Sequence, residues 1–303
     1  MKIVIAGGSG FIGQKLSEHL INKGHELVIL SRRKEKGDKH LKYVQWLQEN
    51  AQPEKDIGDA DVFINLAGVS INDGRWTKKH QQQIYDSRMH ATDELLRIIR
   101  QLPRKPQTLI NASAIGIYPA SESTRYTETS TDIANDFLGQ TVRDWERKAM
   151  TAENMGIRVA CTRFGVILGE HGGALSPIVM PYKLFAGGTV GSGRQWLSWV
   201  HIDDVIRAIE FTIDTSSLDG PINITAPFPK QMKYFGQTIG KIINRPHWLP
   251  VPAFIMQLLL GRKSDLVLKG QFVIPEKLHK SGFQFSFPTL EEALENLINP
   301  VLK

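Results

Sequence analysis

A glycine-rich turn near the start of the chain has the residue spacing of a pyrophosphate-binding loop. In GGSGFIG, Gly7, Gly10 and Gly13 lie three residues apart, after an apolar run and before an amphipathic one. The first glycine allows a tight turn, the second lets the backbone approach a pyrophosphate, and the third lets helix and strand pack closely. A helix that begins at Phe11 and Ile12 offers the anion free N–H groups and a partial positive charge. We therefore predict a dinucleotide site here, against the alternative of a glycine turn that only packs.

The second apolar run ends in residues that favour a phosphate on the adenosine ribose. ELVIL is followed by Ser31, Arg32 and Arg33. An acidic residue here would bind the ribose hydroxyls and repel an added 2′-phosphate. Arginine can form two hydrogen bonds to a phosphate, and one such contact contributes about 1.5–3 kcal/mol. The sequence therefore predicts NADP in preference to NAD, while the alternative of a solvated basic turn applies more to Arg33 than to Arg32.

A polar segment follows the third apolar run, where the carboxyl end of a strand would meet a ligand. This segment, NDGRWTKK (72–79), carries Asn72 and Arg75, which we predict to contact the substrate. Trp76 either joins them or fills the interface between two domains.

A second polar segment, GSGRQWLSWVHID, lies late in the chain. Arg194 is on a glycine-flanked loop that should face a cleft, and its guanidinium suits a phosphate or a carboxylate. His201 is predicted to line the substrate pocket; the alternative is a structural histidine with satisfied hydrogen bonds. Asp203 and Asp204 are predicted to cap the helix that follows.

The elements that must position these residues alternate between short apolar runs and longer amphipathic ones. Near-continuous apolar strands between helices predict a parallel sheet covered on both faces. The expected fold is α/β, a Rossmann-type doubly wound parallel sheet with right-handed crossovers. The predicted strands are KIVIAG (2–7), ELVIL (26–30), DVFINLAG (61–68), TLINASA (108–114) and IRVACTRFGVIL (157–168), and the predicted helices span 11–23, about 78–101 and about 134–155.

After residue 170 the regular alternation of apolar and amphipathic runs stops, and glycines become frequent. A strand and a helix return at 196–213, and Thr289 and Glu292 have capping-box spacing before a last apolar helix. We predict a dinucleotide-binding domain of residues 1–170 plus about 196–224. Residues 171–195 plus 225–303, with soft boundaries, are predicted to form a smaller C-terminal α+β lobe over the carboxyl edge of the sheet.

The composition excludes several other classes of protein. The single cysteine, Cys161, lies in an apolar strand, which excludes a disulfide framework and predicts a cytoplasmic protein. The nine histidines show no zinc-ligand spacing, so we predict no metal. No apolar stretch approaches the roughly 18 residues of a bilayer span, and we predict no membrane partner. The net charge is +6, but RRKEK (32–36) is too short to predict a nucleic-acid partner.

Four motifs together resemble those of the extended short-chain dehydrogenases/reductases, the superfamily of the nucleotide-sugar epimerases and dehydratases. They are GGSGFIG, NLAG (65–68), NASAIGIY (111–118) and WVHIDDV (199–205). More narrowly, NLAGVSINDGRW, FLGQTVRDWE and the closing PEKLHKSGFQFSFPTLEEAL resemble a bacterial "epimerase family" branch of atypical members, whose C-terminal segment is a module of its own. The resemblance implies that Leu66, Ala67 and Gly68 contact the cofactor and that the substrate is small, anionic or sugar-like. A homodimer stays open.

The resemblance fails at the pair of residues that does the chemistry in that superfamily. There, a Tyr-x-x-x-Lys pair transfers the proton at the substrate oxygen. None of the six tyrosines here has a lysine four residues on. Aligning Glu146 with the superfamily glutamate places Leu138 and Val142 at the tyrosine and lysine positions. Arg88 falls at the supporting asparagine, and Ser113 best matches the upstream serine.

Two residues remain as candidates for chemistry. Ser113 is placed to hydrogen-bond the nicotinamide or the substrate, and Tyr118 is placed at the predicted cleft mouth as an acid or a stacking group. Arg88 is predicted to contact the cofactor or an anionic substrate; the alternative is a structural salt bridge.

Losing a positioned acid–base group lowers the rate of an enzyme by about 10²–10⁴. Two functions therefore stay open: an NADP-dependent oxidoreductase or epimerase-like enzyme, and a non-catalytic NADP(H)-sensing protein.

Overall fold

The computed structural model describes residues 1–33, 35–170 and 172–298, and strands and helices alternate through its first half. The strands are β1 (Lys2–Ala6), β2 (Glu26–Ser31), β3 (Leu41–Gln45), β4 (Val62–Asn65), β5 (Thr108–Ala114), β6 (Arg125–Tyr126), β7 (Arg158–Phe164), β8 (Val166–Gly169), β9 (Gly172–Gly173), β10 (Trp196–Leu197), β11 (Trp199–His201), β12 (Gly220–Ile224), β13 (Lys230–Gln231) and β14 (Phe272–Val273). The α-helices are α1 (Phe11–Asn22), α2 (Pro53–Ile57), α3 (Lys78–Gln101), α4 (Phe137–Met150), α5 (Leu175–Lys183), α6 (Ile202–Asp214), α7 (Met232–Ile242), α8 (Ala253–Leu260), α9 (Asp265–Leu268), α10 (Glu276–Lys280) and α11 (Leu290–Ile298).

A seven-stranded parallel sheet forms the centre of the fold, in the order β12-β7-β5-β4-β1-β2-β3. The chain runs outward from β1 to β3 and then returns to β4, which pairs with the other side of β1. This reversal sets the carboxyl ends of β1 and β4 side by side, the place where such sheets bind ligands. The predicted Rossmann-type doubly wound sheet is confirmed.

Both faces of the sheet are covered because successive strand residues point to opposite sides. Ile3 and Ile5 pack with apolar residues of α1 and α6. Val4 and Ala6 pack on the other face with residues of α2, α3 and α4. None of the helices within the described ranges is long and apolar enough to cross a bilayer.

The predicted single strand over 157–168 is wrong, because the chain breaks at Gly165 into β7 and β8. The Gly165 N–H donates to Ile224 in the central sheet, whereas the Val166 N–H donates to Ser198 and Val166 pairs with Trp199 in a different sheet. A Cβ at Gly165 would lie 2.4 Å from the Ser198 oxygen, so only glycine fits this switch. An apolar run does not show such a change of sheet.

Two elements of the central domain are not predicted by the sequence pattern. β3 is an edge strand whose residues are mostly half-buried, so LKYVQ lacks a continuous apolar run. α2 has only five residues and begins at Pro53. The helix predicted over about 134–155 is α4, which begins after its N-cap Asp136 and gives way to a 3₁₀ turn over 151–155.

Outside the central sheet, a second group of elements has small sheets and an apolar core of its own. β11, β8 and β9 form a three-stranded sheet, and β10 pairs with β13. Residues of α5, α7 and α11 pack together beneath them. The capping box is present, since Thr289 N–H donates to Glu292 at 3.4 Å and Glu292 N–H donates to Thr289 at 3.5 Å. The division into two lobes at about residue 170 stays a prediction.

The expected capping of α6 by Asp203 and Asp204 is wrong. The cap is His201, whose Nδ1 accepts from the Asp203 N–H at 3.1 Å. Asp204 is fully buried, and its carboxylate accepts from the N–H groups of Ser286 at 2.8 Å and Phe287 at 2.9 Å. Asp204 therefore ties the C-terminal segment to the start of α6.

This tie predicts a difference between the two neighbouring aspartates. Asp204→Ala should lower the free energy of unfolding by about 2–4 kcal/mol, because two backbone donors lose a charged acceptor. Asp203→Ala is the control, because its ion pair with Lys15 is exposed and should contribute less than about 1 kcal/mol. Urea unfolding followed by circular dichroism measures both, and equal losses would contradict the assignment.

Candidate active site

The glycine turn between β1 and α1 leaves no room for side chains. Gly7 has a φ of +83°, and a Cβ there would lie 2.7 Å from the backbone of Leu66. A Cβ at Gly13 would lie 2.3 Å from the Gly7 oxygen. Gly10 is the N-cap of α1 and has no side chain to occupy the first N–H groups. These groups are therefore open to an anion, and the turn fits a dinucleotide pyrophosphate.

The first two residues of α1 face the core with their side chains. The Phe11 ring packs against the β8–β9 hairpin so closely that a Cβ at Gly169 or Gly172 would lie 2.4 Å from it. Ile12 is half-buried and packs against the core of the central sheet. Only the backbone N–H groups of these two residues are thus suited to the predicted contact with the cofactor.

The NLAG loop lies directly beside the glycine turn and rests on Arg88. The Leu66 N–H donates to Ala6, and the Ala67 N–H donates to the Asn65 side chain. A Cβ at Gly68 would lie 3.2 Å from the Arg88 guanidinium. The predicted cofactor residues of the turn and of this loop therefore form one continuous backbone surface.

Arg88 has no carboxylate partner among the described residues, so the alternative of a salt bridge does not apply. Its Nη1 donates to Val69 O at 3.1 Å and to Ile84 O at 2.9 Å, and its guanidinium lies 5.1 Å from the centre of the Trp145 ring. Burial lowers the pKa of Arg88 to about 10, so it stays charged at neutral pH. Arg88 thus holds the loop after β4 and leaves a positive charge next to Gly68.

The end of β2 exposes both predicted arginines and also an acidic neighbour. The side chains of Arg32 and Arg33 are exposed and form no ion pair with another described residue. The Ser31 hydroxyl donates to Glu35 at 2.8 Å and accepts from the Arg33 N–H at 3.1 Å. The sequence pattern did not indicate this carboxylate, which lies four residues after Ser31.

Ser113 at the end of β5 belongs to a buried polar network. Its hydroxyl donates to Glu146 Oε1 at 2.5 Å. Arg163 donates two hydrogen bonds to the same carboxylate, at 2.7 Å each, and a third to the Tyr118 hydroxyl at 2.7 Å. The side chains of Arg163 and Glu146 are 9% and 12% exposed. Neither residue was singled out from the sequence for a role, although an arginine inside the apolar run VACTRF signals a buried partner.

The expected place of Tyr118 at the cleft mouth is wrong, because the residue lies in the core with 1% exposure. Its hydroxyl is 2.9 Å from Asn223 Oδ1 and 3.0 Å from Thr127 O, and its ring stacks on Tyr126. Burial raises the pKa of Tyr118. The Tyr118 hydroxyl has its donor and acceptor capacity satisfied inside the protein, so it fixes the network.

The positions of the missing pair are filled with apolar side chains. Val142 is buried in a cluster with Ile115, Ile117 and Tyr118. Leu138 lies over Gly116, where a Cβ would be 3.5 Å from it. Trp145 packs as expected and also donates from its indole to Thr92 at 3.0 Å.

The loop after β4 is tied to the segment that follows α8. Arg75 Nη2 lies 3.5 Å from Leu259 O, and Lys263 Nζ donates to Asn72 O. Trp76 is buried, donates to Ile71 O and packs edge-on against Phe137. Asn72 and Arg75 remain exposed, and Trp76 is a packing residue.

The structure does not bring Arg194 and His201 to this site. Arg194 is exposed and pairs with Glu122 at 2.8 Å. His201 is 1% exposed, caps α6 and stacks on Phe287, so its predicted place in a pocket wall is wrong. Burial lowers the pKa of His201, which keeps it a neutral acceptor. Within the described ranges no cluster of three or more His, Cys, Asp or Glu side chains is arranged to hold a metal.

The buried position of Tyr118 predicts a structural effect of its hydroxyl. Tyr118→Phe should lower the free energy of unfolding by about 1–3 kcal/mol, because Arg163 and Asn223 lose a buried partner. Tyr234→Phe is the control, since its hydroxyl bonds Glu291 at the surface. Chemical unfolding of both variants tests this; unchanged stability of Tyr118→Phe would count against a structural role.

Comparison with known proteins identifies the family to which the chain belongs. Residues 3–225 match the model of the NAD dependent epimerase/dehydratase family, and residues 251–297 match a domain of unknown function, DUF1731. The epimerase family protein YfhF of Bacillus subtilis is 48% identical over 299 residues, 98% of each chain.

Two solved structures have the same fold. The human epimerase family protein SDR39U1 (isoform 2), solved with NADPH, has a TM-score of 0.88 and 30% identity over 99% of both chains. A nucleoside-diphosphate sugar epimerase from Corynebacterium glutamicum has a TM-score of 0.78 and 27% identity, over 98% of this chain and 58% of that one. The resemblance drawn from the motifs is confirmed: the chain belongs to the NAD dependent epimerase/dehydratase family and is an NAD(P)-binding protein of the short-chain dehydrogenase/reductase type with a C-terminal DUF1731 module.

Proposed function

We propose that the protein binds NADP(H) in preference to NAD(H) and acts as an oxidoreductase or epimerase-like enzyme on a small, anionic or sugar-like substrate. The observation that carries the proposal is the glycine turn, closed by Gly7 and Gly13 and open at the first N–H groups of α1. The unpaired, exposed guanidinium of Arg32 supports NADP, as does the NADPH in the similar human structure. The carboxylate of Glu35 would repel the 2′-phosphate of NADP. We give more weight to Arg32, because its guanidinium can form two hydrogen bonds to that phosphate. A cytosolic location accords with the single cysteine, which rules out a disulfide within the chain.

Ser113 and Glu146 supply the chain's own proton path in this proposal. When bound, the nicotinamide would accept or supply a hydride. Because the Ser113 hydroxyl donates to Glu146, its oxygen is free to accept a hydrogen bond from a substrate hydroxyl. In the direction of oxidation, the substrate proton passes to Ser113 while the Ser113 proton passes to Glu146. Arg163 keeps the carboxylate in place with its two hydrogen bonds.

Two arginine side chains near the glycine turn and the loop after β4 are the reason why we propose an anionic substrate. Arg88 leaves an uncompensated charge beside Gly68, and Arg75 lies exposed on the loop after β4. Both suit a carboxylate or a phosphate on the substrate. Asn72 on the same loop adds an amide that can hydrogen-bond a sugar hydroxyl.

A second candidate is an NADP(H)-sensing protein without catalysis. The observation that favours it is the apolar filling of the proton-transfer positions by Leu138 and Val142. Such a protein would need different affinities for the dinucleotide in two conformations. The enzyme is preferred because the Ser113–Glu146 hydrogen bond provides an alternative path for the proton.

The cofactor preference can be measured directly. Titration of the protein with NADPH and NADH by fluorescence should show tighter binding of NADPH. Arg32→Ala should weaken NADPH binding by about tenfold, the effect of one charged hydrogen bond, and leave NADH binding unchanged. Arg100→Ala, an exposed arginine at the end of α3, is the matched control. Tighter binding of NADH by the unaltered protein would refute the role of Arg32.

The proton path predicts the effect of removing one hydroxyl. With a substrate found by screening carbonyl compounds and nucleotide sugars against NADPH, Ser113→Ala should lower kcat by about 10²–10⁴. Ser113→Thr should restore much of the rate because it keeps the hydroxyl, and NADPH affinity should not change in either variant. Tight NADPH binding without turnover across the panel would select the sensing protein instead.

A further inference from the structure

The exposed apolar side chains of the protein are concentrated in one region of the smaller lobe. Of the thirteen large apolar residues that are exposed in the described part of the chain, ten lie in 180–185 and 228–259. Trp248 is 66% exposed and Leu258 is 78% exposed. Single exposed apolar residues are ordinary, but a contiguous group marks an interaction surface.

Backbone hydrogen bonds bring part of this group together, and α8 follows directly along the chain. The Trp248 indole donates to Phe185 O at 2.9 Å, and the N–H groups of Trp248 and Leu249 both donate to Gly187 O. Val251 pairs with Val190, and α8 begins two residues later. Phe254 and Leu258 lie one turn apart on α8. We call the group Leu184, Phe185, Trp248, Leu249, Phe254 and Leu258 the docking surface.

α8 is the most unusual part of the docking surface. Seven of its eight residues, AFIMQLLL, are apolar, and none is buried. The segment is held at both ends, by the Val251–Val190 pairing before it and by the Lys263–Asn72 hydrogen bond after it. Ile255, Met256 and Leu260 are half-buried, and the other five residues are exposed, so α8 presents an apolar face that no described residue covers.

The chain segment that carries most of the docking surface is basic, although Glu291 from α11 lies near Lys230 and Lys241. Residues 228–270 contain seven lysines and arginines and one acidic residue, Asp265. Arg245 lies 4.4 Å from the centre of the Phe185 ring. Beside it, Lys241, Asn244 and Arg245 line a depression of about 480 Å³. Cations and an amide at the rim of an apolar surface suit phosphate groups above an apolar layer.

We propose that the docking surface binds the surface of an anionic phospholipid bilayer. Lysine and arginine around exposed Trp, Phe and Leu is the composition of segments that lie in the membrane interface. A second copy of the chain fits less well, because a two-fold interface would bring the two positive rims together. This contact needs no spanning helix, so the sequence-based expectation of no membrane partner, drawn from the lack of a span, does not extend to it.

The test is sedimentation of the full chain with vesicles. The protein should bind vesicles of phosphatidylglycerol mixed with phosphatidylcholine far better than vesicles of phosphatidylcholine alone, and added salt should weaken the binding. Phe254→Ser with Leu258→Ser should reduce binding by about tenfold or more, because two apolar side chains leave the bilayer. Lys241→Glu with Arg245→Glu should also reduce it by more than about tenfold.

Controls separate this result from damage to the fold. Ile133→Ser alters an exposed apolar residue outside the docking surface and should bind vesicles like the unaltered protein. All variants should keep the same affinity for NADPH. Absence of vesicle binding at low salt would overturn the proposal, as would binding that survives both double variants. A dimer that Phe254→Ser with Leu258→Ser dissociates, without vesicle binding, would assign the surface to a second copy and overturn it too.

Discussion

The buried ion pair of Arg163 and Glu146 is the interaction on which the interior of the site depends. It joins β7 to α4, reaches β5 through Ser113, and reaches Asn223 of β12 through Tyr118. Breaking such a pair by removing one partner costs about 3–5 kcal/mol, since the other charge stays buried. Each oxygen of the carboxylate and each donor nitrogen of Arg163 has a partner here, which is the condition under which a buried pair is tolerated.

The Arg163–Glu146 pair lies next to Leu138 and Val142, the positions where a proton-transferring pair would be expected. Glu146 lies on α4 one helical turn after Val142, and Arg163 reaches it from β7, so the polar centre lies under the end of β5. Leu138 and Val142 then face Gly116 and the 3₁₀ turn after β5 and can be apolar without leaving a polar group unsatisfied. The polar network around Glu146 and the apolar positions before it on α4 are therefore compatible parts of one packing arrangement.

The sequence predicts the central sheet and the glycine turn well because both depend on local signals. Apolar runs of strand length and glycines at fixed spacing are visible along the chain. Tyr118 and His201 were misplaced because their burial depends on segments far away, at Asn223 and Phe287. The sequence does not distinguish a polar residue that faces a cleft from one that contacts a side chain distant along the chain. The break at Gly165 was missed for the same reason.

The packing of Phe11 links the glycine turn to the three-stranded sheet of β11, β8 and β9. Gly169 and Gly172 lie against the ring with no room for a Cβ, so the start of α1 and the β8–β9 hairpin fit each other closely. Packed interiors transmit displacements because they have few voids. The first turn of α1, which carries the predicted anion site, is therefore in direct contact with the β8–β9 hairpin and, through β8, joined to the sheet that contains β11.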